Sequence, residues 1–162
     1  MARRIGLISD THGLLRDEAV AALRGCDHIV HAGDIGPGGI LERLAGLAPV
    51  TAVRGNNDEG LPAFEHLPET CCVDLDGTRV YVLHDLAQLA VDPPALGVRL
   101  VVSGHSHKPR IETRDGVLYV NPGSAGPRRF SLPVAVAVVT AAAHGLRAET
   151  IELAVAPPAR RR

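Results

Sequence analysis

Five apolar runs in this chain each stop at a short polar sequence built from Asp, His or Asn, and no other feature constrains the fold as much. Ile5 to Ser9 ends in Asp10-Thr11-His12-Gly13, His28 to Ala32 in Gly33-Asp34, and Pro49 to Arg54 in Gly55-Asn56-Asn57-Asp58. Arg79 to Leu83 ends at His84, and Arg99 to Ser103 in Gly104-His105-Ser106-His107. Between the first three runs lie two stretches of helical spacing, Asp17 to Leu23 and the series Ile40, Leu41, Leu44, Leu47. Strands alternating with helices predict βαβ crossovers and a parallel sheet. In open α/β sheets, ligands bind beyond the carboxyl ends of the strands, where these polar residues fall.

The second half has a different grammar. Thr70 to Leu75 and Arg79 to Leu83 flank Asp76-Gly77, and Arg110 to Arg114 and Val117 to Val120 flank Asp115-Gly116, two strong hairpin signals. Asn121-Pro122-Gly123-Ser124 closes the second hairpin with a turn, and Pro133 to Thr140 pairs with Leu146 to Leu153 as a final antiparallel unit. A parallel half joined to a hairpin-rich half predicts two sheets packed together. A length of 162 residues with no internal repeat and no long linker fits one domain over residues 1–156, and 157–162 is expected to be a disordered tail.

Composition narrows the chemistry. Seventeen basic residues against 18 acidic ones leave a net charge of -1, so no nucleic acid or anionic membrane is indicated as a partner. No apolar stretch approaches the roughly 18 residues of a membrane span. Cys26, Cys71 and Cys72 make a poor disulfide framework, and a reducing cytoplasm is the expected compartment. Cys71 and Cys72 fall inside a strand and are read as core.

Asp10, His12, Asp34, Asn56, His84, His105 and His107 all lie within a residue or two of a strand end. In extended backbone, residues two apart point to the same side, so Asp10 with His12, and His105 with His107, can each reach one centre. Taken singly, these motifs are weak: D-x-H and H-x-H arise by chance, and Gly-Asp is ordinary turn chemistry. Five strand ends each supplying a nitrogen or oxygen ligand point jointly to a metal site. Seven candidates exceed the four ligands of a closed structural zinc site, so two ions fit better than one. Imidazole, carboxylate and carboxamide without thiolate suit Mn, Fe, Zn, Co or Ni more than Mg or Ca.

The ordered series Asp10-x-His12, Gly33-Asp34, Gly55-Asn56-x-Asp58, His84 and Gly104-His105-x-His107 resembles the calcineurin-like metallophosphoesterase superfamily. The short length and Asn121-Pro122-Gly123-Ser124 make the chain similar to its small bacterial and archaeal phosphodiesterases. The resemblance implies a four-layer α/β/β/α sandwich of two mixed sheets flanked by helices. It implies one ion held by Asp10, His12 and His107, a second held by Asn56, His84 and His105, and Asp34 shared between them. Two divalent ions, manganese first, would then hydrolyse a small phosphodiester through a hydroxide lying between them, with no covalent protein nucleophile. A homodimer or homotetramer is also within what the resemblance implies.

Two positions depart from the family pattern. Asn57 stands where many members have a His that protonates the leaving group, and a carboxamide is no general acid. Asp85 replaces the usual Gly after His84 and either modifies phosphate affinity or faces water. Asn57 and Asp58 are the catalytic candidates, Asp58 as an acceptor that orients its neighbours or a ligand imidazole. His31 matches the family's H-x-G-D run and is expected to make structural hydrogen bonds, whereas His28, His66 and His144 carry no pattern. Arg128 and Arg129 have two roles open, contact with a substrate phosphate or solvated surface charge. Asn121 and Ser124 are expected to shape the pocket. Two alternatives stand beside the phosphodiesterase: a phosphomonoesterase or pyrophosphatase using the same site, and a non-catalytic scaffold like the small retromer subunit.

Overall fold

The computed structural model describes residues 3–155, so the expected tail at 157–162 lies outside the described residues. In chain order the elements are β1 (Arg3–Ile8), α1 (Asp17–Leu23), β2 (His28–His31), α2 (Ile40–Ala45), β3 (Val50–Ala52), β4 (Thr70–Leu75) and β5 (Thr78–Leu83). There follow β6 (Leu100–Val102), β7 (Arg110–Arg114), β8 (Val117–Asn121), β9 (Ala135–Ala142) and β10 (Gly145–Glu152). Two mixed five-stranded sheets result, with orders β10-β9-β1-β2-β3 and β4-β5-β6-β8-β7. In the first, β1, β2 and β3 are parallel and β9 and β10 antiparallel; in the second, β5, β6 and β8 are parallel and β4 and β7 antiparallel.

Alternating side chains build the layers. On β1, Ile5 and Leu7 join Val30, Val80, Val82, Leu100, Val102, Ala137 and Val139 in the apolar layer between the sheets. The opposite face of the first sheet, with Ile8, Ile29, Val136 and Val138, is covered by Ala19 and Leu23 of α1 and Ile40 and Leu44 of α2. Seven- and six-residue helices are too short to stand alone in water, so this packing is what holds them. Outside the second sheet, Tyr81, Leu83 and Val101 pack beneath Leu86, Leu89, Val91 and Val98. That fourth layer is an irregular segment with one 3-10 turn, Leu86–Gln88, and Pro93 and Pro94 lie within its span.

Both D-G hairpins are present, with left-handed φ at Asp76, Gly77, Asp115 and Gly116, as a two-residue turn matched to strand twist requires. One expectation is corrected. Cys71 turns towards the inter-sheet layer, but Cys72 is exposed, because adjacent residues of a strand face opposite sides.

Candidate metal centre

Every candidate ligand sits in a loop that leaves a parallel strand: Asp10 and His12 after β1, Asp34 after β2, Asn56 after β3, His84 after β5, His105 and His107 after β6. Six of the seven fall into two groups, Asp10 with His12 and His107, and Asp34 with His84 and His105. Within each group the ligand atoms lie within 4.8 Å of one another. Asn56, a carboxamide, is exposed and lines the same cleft as His84 and His105; its Nδ2 donates to Asn57 Oδ1 (3.4 Å). His12 and His107 stack with ring centroids 5.5 Å apart, and His84 meets His105 edge-on at 5.1 Å.

The backbone is unusual at these positions. Asp10, His12, Asp34, His105 and His107 all have left-handed φ, between 45° and 72°. For residues with a Cβ this conformation costs roughly 1–2 kcal/mol each and persists only where the surroundings enforce it. At Asp10, His12 and Asp34 the enforcement is a set of loop-to-loop hydrogen bonds, Asp10 N–H to Gly33 O (3.0 Å), His12 N–H to Asp34 O (3.0 Å) and Gly13 N–H to Ile35 O (2.8 Å), and His105 N–H is held by Asp10 Oδ2 (3.0 Å). Asp58, 1% exposed, adds a second clamp by accepting from the backbone N–H groups of Ile35 (2.9 Å), Gly36 (3.4 Å) and Gly55 (2.9 Å). Asp58 therefore ties its neighbouring loops together, its bonds going to backbone amides and not to an imidazole. Asn57 grips the Asp34 carboxylate, its backbone N–H donating to Asp34 Oδ1 (2.9 Å) and its Nδ2 to Asp34 Oδ2 (3.3 Å).

Gly33 and Gly104 let these loops close. At Gly33, with φ 102°, a Cβ would lie 2.7 Å from Gly55 N and 2.8 Å from His84 Nδ1. A Cβ at Gly104 would collide with Ser9 Oγ and press on Asp10 Oδ2. Gly104→Ala is expected to destabilise the fold by about 1–3 kcal/mol and to displace Asp10, read as a lower urea midpoint together with weaker metal uptake.

The donor set asks for cations. Asp10 Oδ2 is occupied, accepting from Ser9 Oγ (2.6 Å) and His105 N–H (3.0 Å), which leaves Oδ1 facing His107 Nε2 (3.3 Å), His12 Nε2 (3.7 Å) and His84 Nε2 (3.9 Å). His84 Nδ1 lies 2.7 Å from the Ala32 carbonyl and must donate to it, so in the neutral ring Nε2 turns a lone pair on Asp34 Oδ2, 3.2 Å away. That same oxygen is 3.8 Å from His12 Nε2, so Asp34 faces both groups. Asp10 Oδ1, His12 Nε2, His84 Nε2 and His107 Nδ1 are buried without a hydrogen-bond partner. Lone pairs converging on lone pairs are costly unless a proton or a cation lies between them. Divalent cations therefore fit these residues.

Charge behaves accordingly. Burial pushes both Asp10 and Asp34 upward. Nearby imidazoles, with Ser9 at Asp10 and the Asn57 amide at Asp34, outweigh it and hold both carboxyls below the ordinary value. Burial lowers His84, but its contact with Asp34 and the charge of Asp10 leave it raised overall. His107 is lowered, by burial first, with Arg129 adding to the effect against the pull of Asp10.

His31 is fully enclosed, and burial pushes its imidazole from 6.5 down to about 4. The unfolded chain then binds a proton that the folded chain refuses between those values. Its contribution to stability is complete above pH 6.5 and drains as pH falls, levelling off near pH 4. The expected loss is about 3 kcal/mol, measured by urea unfolding at stepped pH and flattened in His31→Phe.

Two clefts meet at Asp85 and His105, on the side of the centre that carries His84. One of about 470 Å³ is lined by Arg54, Asn56, Glu59, Glu69, His84 and His105, among others; a second, of about 270 Å³, runs past His105, Ser106, Lys108, Tyr119 and Asn121. Asp85 and His105 belong to both, and Asp85 Oδ2 is 4.0 Å from His105 Nε2. Asp85 is half-buried and caps the 3-10 turn by accepting from Ala87 N–H (3.0 Å). Asn121 Nδ2 donates to Gly104 O (3.0 Å) and Ser106 Oγ (3.1 Å), and Ser124 Oγ to Asp10 O (3.0 Å). Arg128 and Arg129 are exposed. Ser9 and the cleft walls Arg54, Glu59 and Glu69 are not among the sequence candidates, since nothing in their local pattern separates them from ordinary strand-end and loop residues.

Residues 4–144 match the calcineurin-like phosphoesterase superfamily domain, and the chain belongs to that superfamily. A probable metallophosphoesterase of Methanothermobacter thermautotrophicus is 33% identical over 141 residues, which cover 80% of this chain and 81% of that protein. Among solved structures, an archaeal phosphodiesterase superposes with a TM-score of 0.69 at 20% identity, covering 91% of this chain and 99% of its own. Vacuolar Protein Sorting 29 from Cryptosporidium parvum superposes with a TM-score of 0.72 at 18% identity, covering 94% and 98%. These two likenesses concern the fold. Among the described residues no helix is long and apolar enough to cross a membrane.

Proposed function

We propose that this chain is a metal-dependent phosphodiesterase. One divalent ion would be held by Asp10, His12 and His107, a second by Asn56, His84 and His105, and Asp34 would be shared. The observation that carries this is the convergence of buried, unpartnered ligand atoms from both sheets on one rim. Manganese is the proposed ion and Fe, Zn, Ni and Co are alternatives, since the donors are nitrogen and oxygen without thiolate. Ions bound there would supply the Lewis acidity that activates water near neutral pH and neutralises charge on the phosphoryl oxygens.

The chain's own residues do the positioning. Asn57 fixes both oxygens of Asp34, and Ser9 with the His105 amide fixes Asp10, so neither carboxylate has to reorganise when substrate enters. A diester is favoured over a monoester because two clefts, sharing only Asp85 and His105, offer room for a group on each side of phosphorus. With Asn57 committed to Asp34 and unable to supply a proton, turnover is expected to fall steeply as the leaving group becomes more basic. A series of substituted phenyl diesters measures this as the slope of log kcat/KM against leaving-group pKa.

The deciding experiment is hydrolysis of bis-p-nitrophenyl phosphate beside p-nitrophenyl phosphate, with protein stripped by chelator and reloaded with Mn. Cleavage confined to reloaded protein, with the diester preferred, supports the phosphodiesterase. Preference for the monoester points to a phosphomonoesterase, and no cleavage at any loading leaves the scaffold.

A further inference from the structure

We propose that His31 is a positioning residue that sets the separation between the two ligand groups, by bolting the loop carrying Asp10 and His12 to the loop carrying Asp34. The inference rests on the two-ion reading above and adds to it a residue that neither group contains. His31 is 0% exposed at the end of β2, beneath the centre. Its Nδ1 accepts the Gly33 N–H at 3.0 Å, and its Nε2 lies 3.0 Å from Thr11 Oγ1, which in turn donates to the Ile35 carbonyl at 2.7 Å. An amide N–H can only donate, so Nδ1 must carry the lone pair and Nε2 the hydrogen. Thr11 then accepts from His31 and passes its own hydrogen to Ile35. Every hydrogen in this chain has one direction, and both ring nitrogens are used up, which removes His31 from ligation.

The placement of the contacts gives the device its reach. Gly33 and Ile35 are the residues on either side of Asp34, and Thr11 sits between Asp10 and His12. The ring therefore connects the middle of one ligand pair to the flanks of the shared carboxylate. A rigid aromatic ring presents an acceptor and a donor at fixed separation on opposite edges. An Asn or Gln carboxamide carries both on a single carbon and cannot span the two loops at once.

The test is Mn titration followed by electron paramagnetic resonance and by calorimetry, on wild type, His31→Phe, His31→Asn, Thr11→Val and Thr11→Ser. Wild type is expected to take two ions and give a spin-coupled signal. His31→Phe should give an uncoupled six-line signal and weaken the second ion by about 10- to 100-fold. His31→Asn, which keeps the acceptor for Gly33 but not the reach to Thr11, should fall between them. Thr11→Val should shift the same way and Thr11→Ser restore wild type, since the hydroxyl and not the methyl carries the bond. Circular dichroism of the metal-free variants checks folding, and if His31→Phe does not fold, the Thr11 pair decides. Two coupled ions in wild type with unchanged coupling and affinity in Thr11→Val would overturn the role of His31 while leaving the two-ion centre intact. A single ion in wild type would overturn the two-ion reading, and this one with it.

Discussion

Asp34→Asn is expected to lower metal-dependent diester hydrolysis by roughly 10³-fold, about 4 kcal/mol of transition-state stabilisation, while leaving the fold in place. The substitution keeps the shape of the side chain and its acceptor oxygen for the Asn57 N–H, but removes the charge that faces both groups. A carboxamide would also turn donor hydrogens towards His84 or His12, where ligand lone pairs must meet a cation. Steady-state kinetics at saturating Mn, with bound metal counted by elemental analysis, measure the effect. Activity within tenfold of wild type with two ions bound would remove Asp34 from the shared position.

The second large effect is on stability. Asp10 Oδ1 is buried without a hydrogen-bond partner, as are His12 Nε2 and His84 Nε2, 3.7 and 3.9 Å from it, so the metal-free fold carries desolvated groups that a bound ion would satisfy. An ion present at about a hundred times its dissociation constant stabilises the folded state by about 2.7 kcal/mol. For two such sites in a domain of this size, chelation is expected to lower Tm by on the order of 10 °C. Calorimetry with chelator, and again after Mn reloading, measures the shift. An unchanged Tm would mean that the cluster does not take up metal under those conditions.

Much of the architecture was legible because it rests on local chemistry. The D-G turns fix two hairpins through backbone preference alone, and the helix Asp17–Leu23 follows from spacing. The placement of the candidate ligands along one edge was legible for another reason: a parallel sheet puts the carboxyl ends of its strands side by side, whereas the division of the ligands between two ion sites came from the family resemblance alone. What escaped the sequence depends on packing between distant loops. His12 and His107 have left-handed backbone, which histidine tolerates better than most residues but does not require; at His12 the N–H bond to Asp34 O from the next loop holds it. The role of Asp58 emerges only once Ile35, Gly36 and Gly55 surround it. Where the family resemblance implies flanking helices on both sides, residues 84–98 cover Tyr81 and Val101 with a single 3-10 turn and little other regular structure.

Each ligand group takes residues from both sheets, joining positions as far apart in sequence as 10 and 107, or 34 and 105. An ion in either group would therefore act as a cross-link, closing a long loop of the unfolded chain much as a disulfide does, but one that forms only after both sheets have docked. The greasy layer of Leu7, Val30, Val82 and Val102 becomes part of the site's ruler, since a cavity there alters the gap that the ions must bridge.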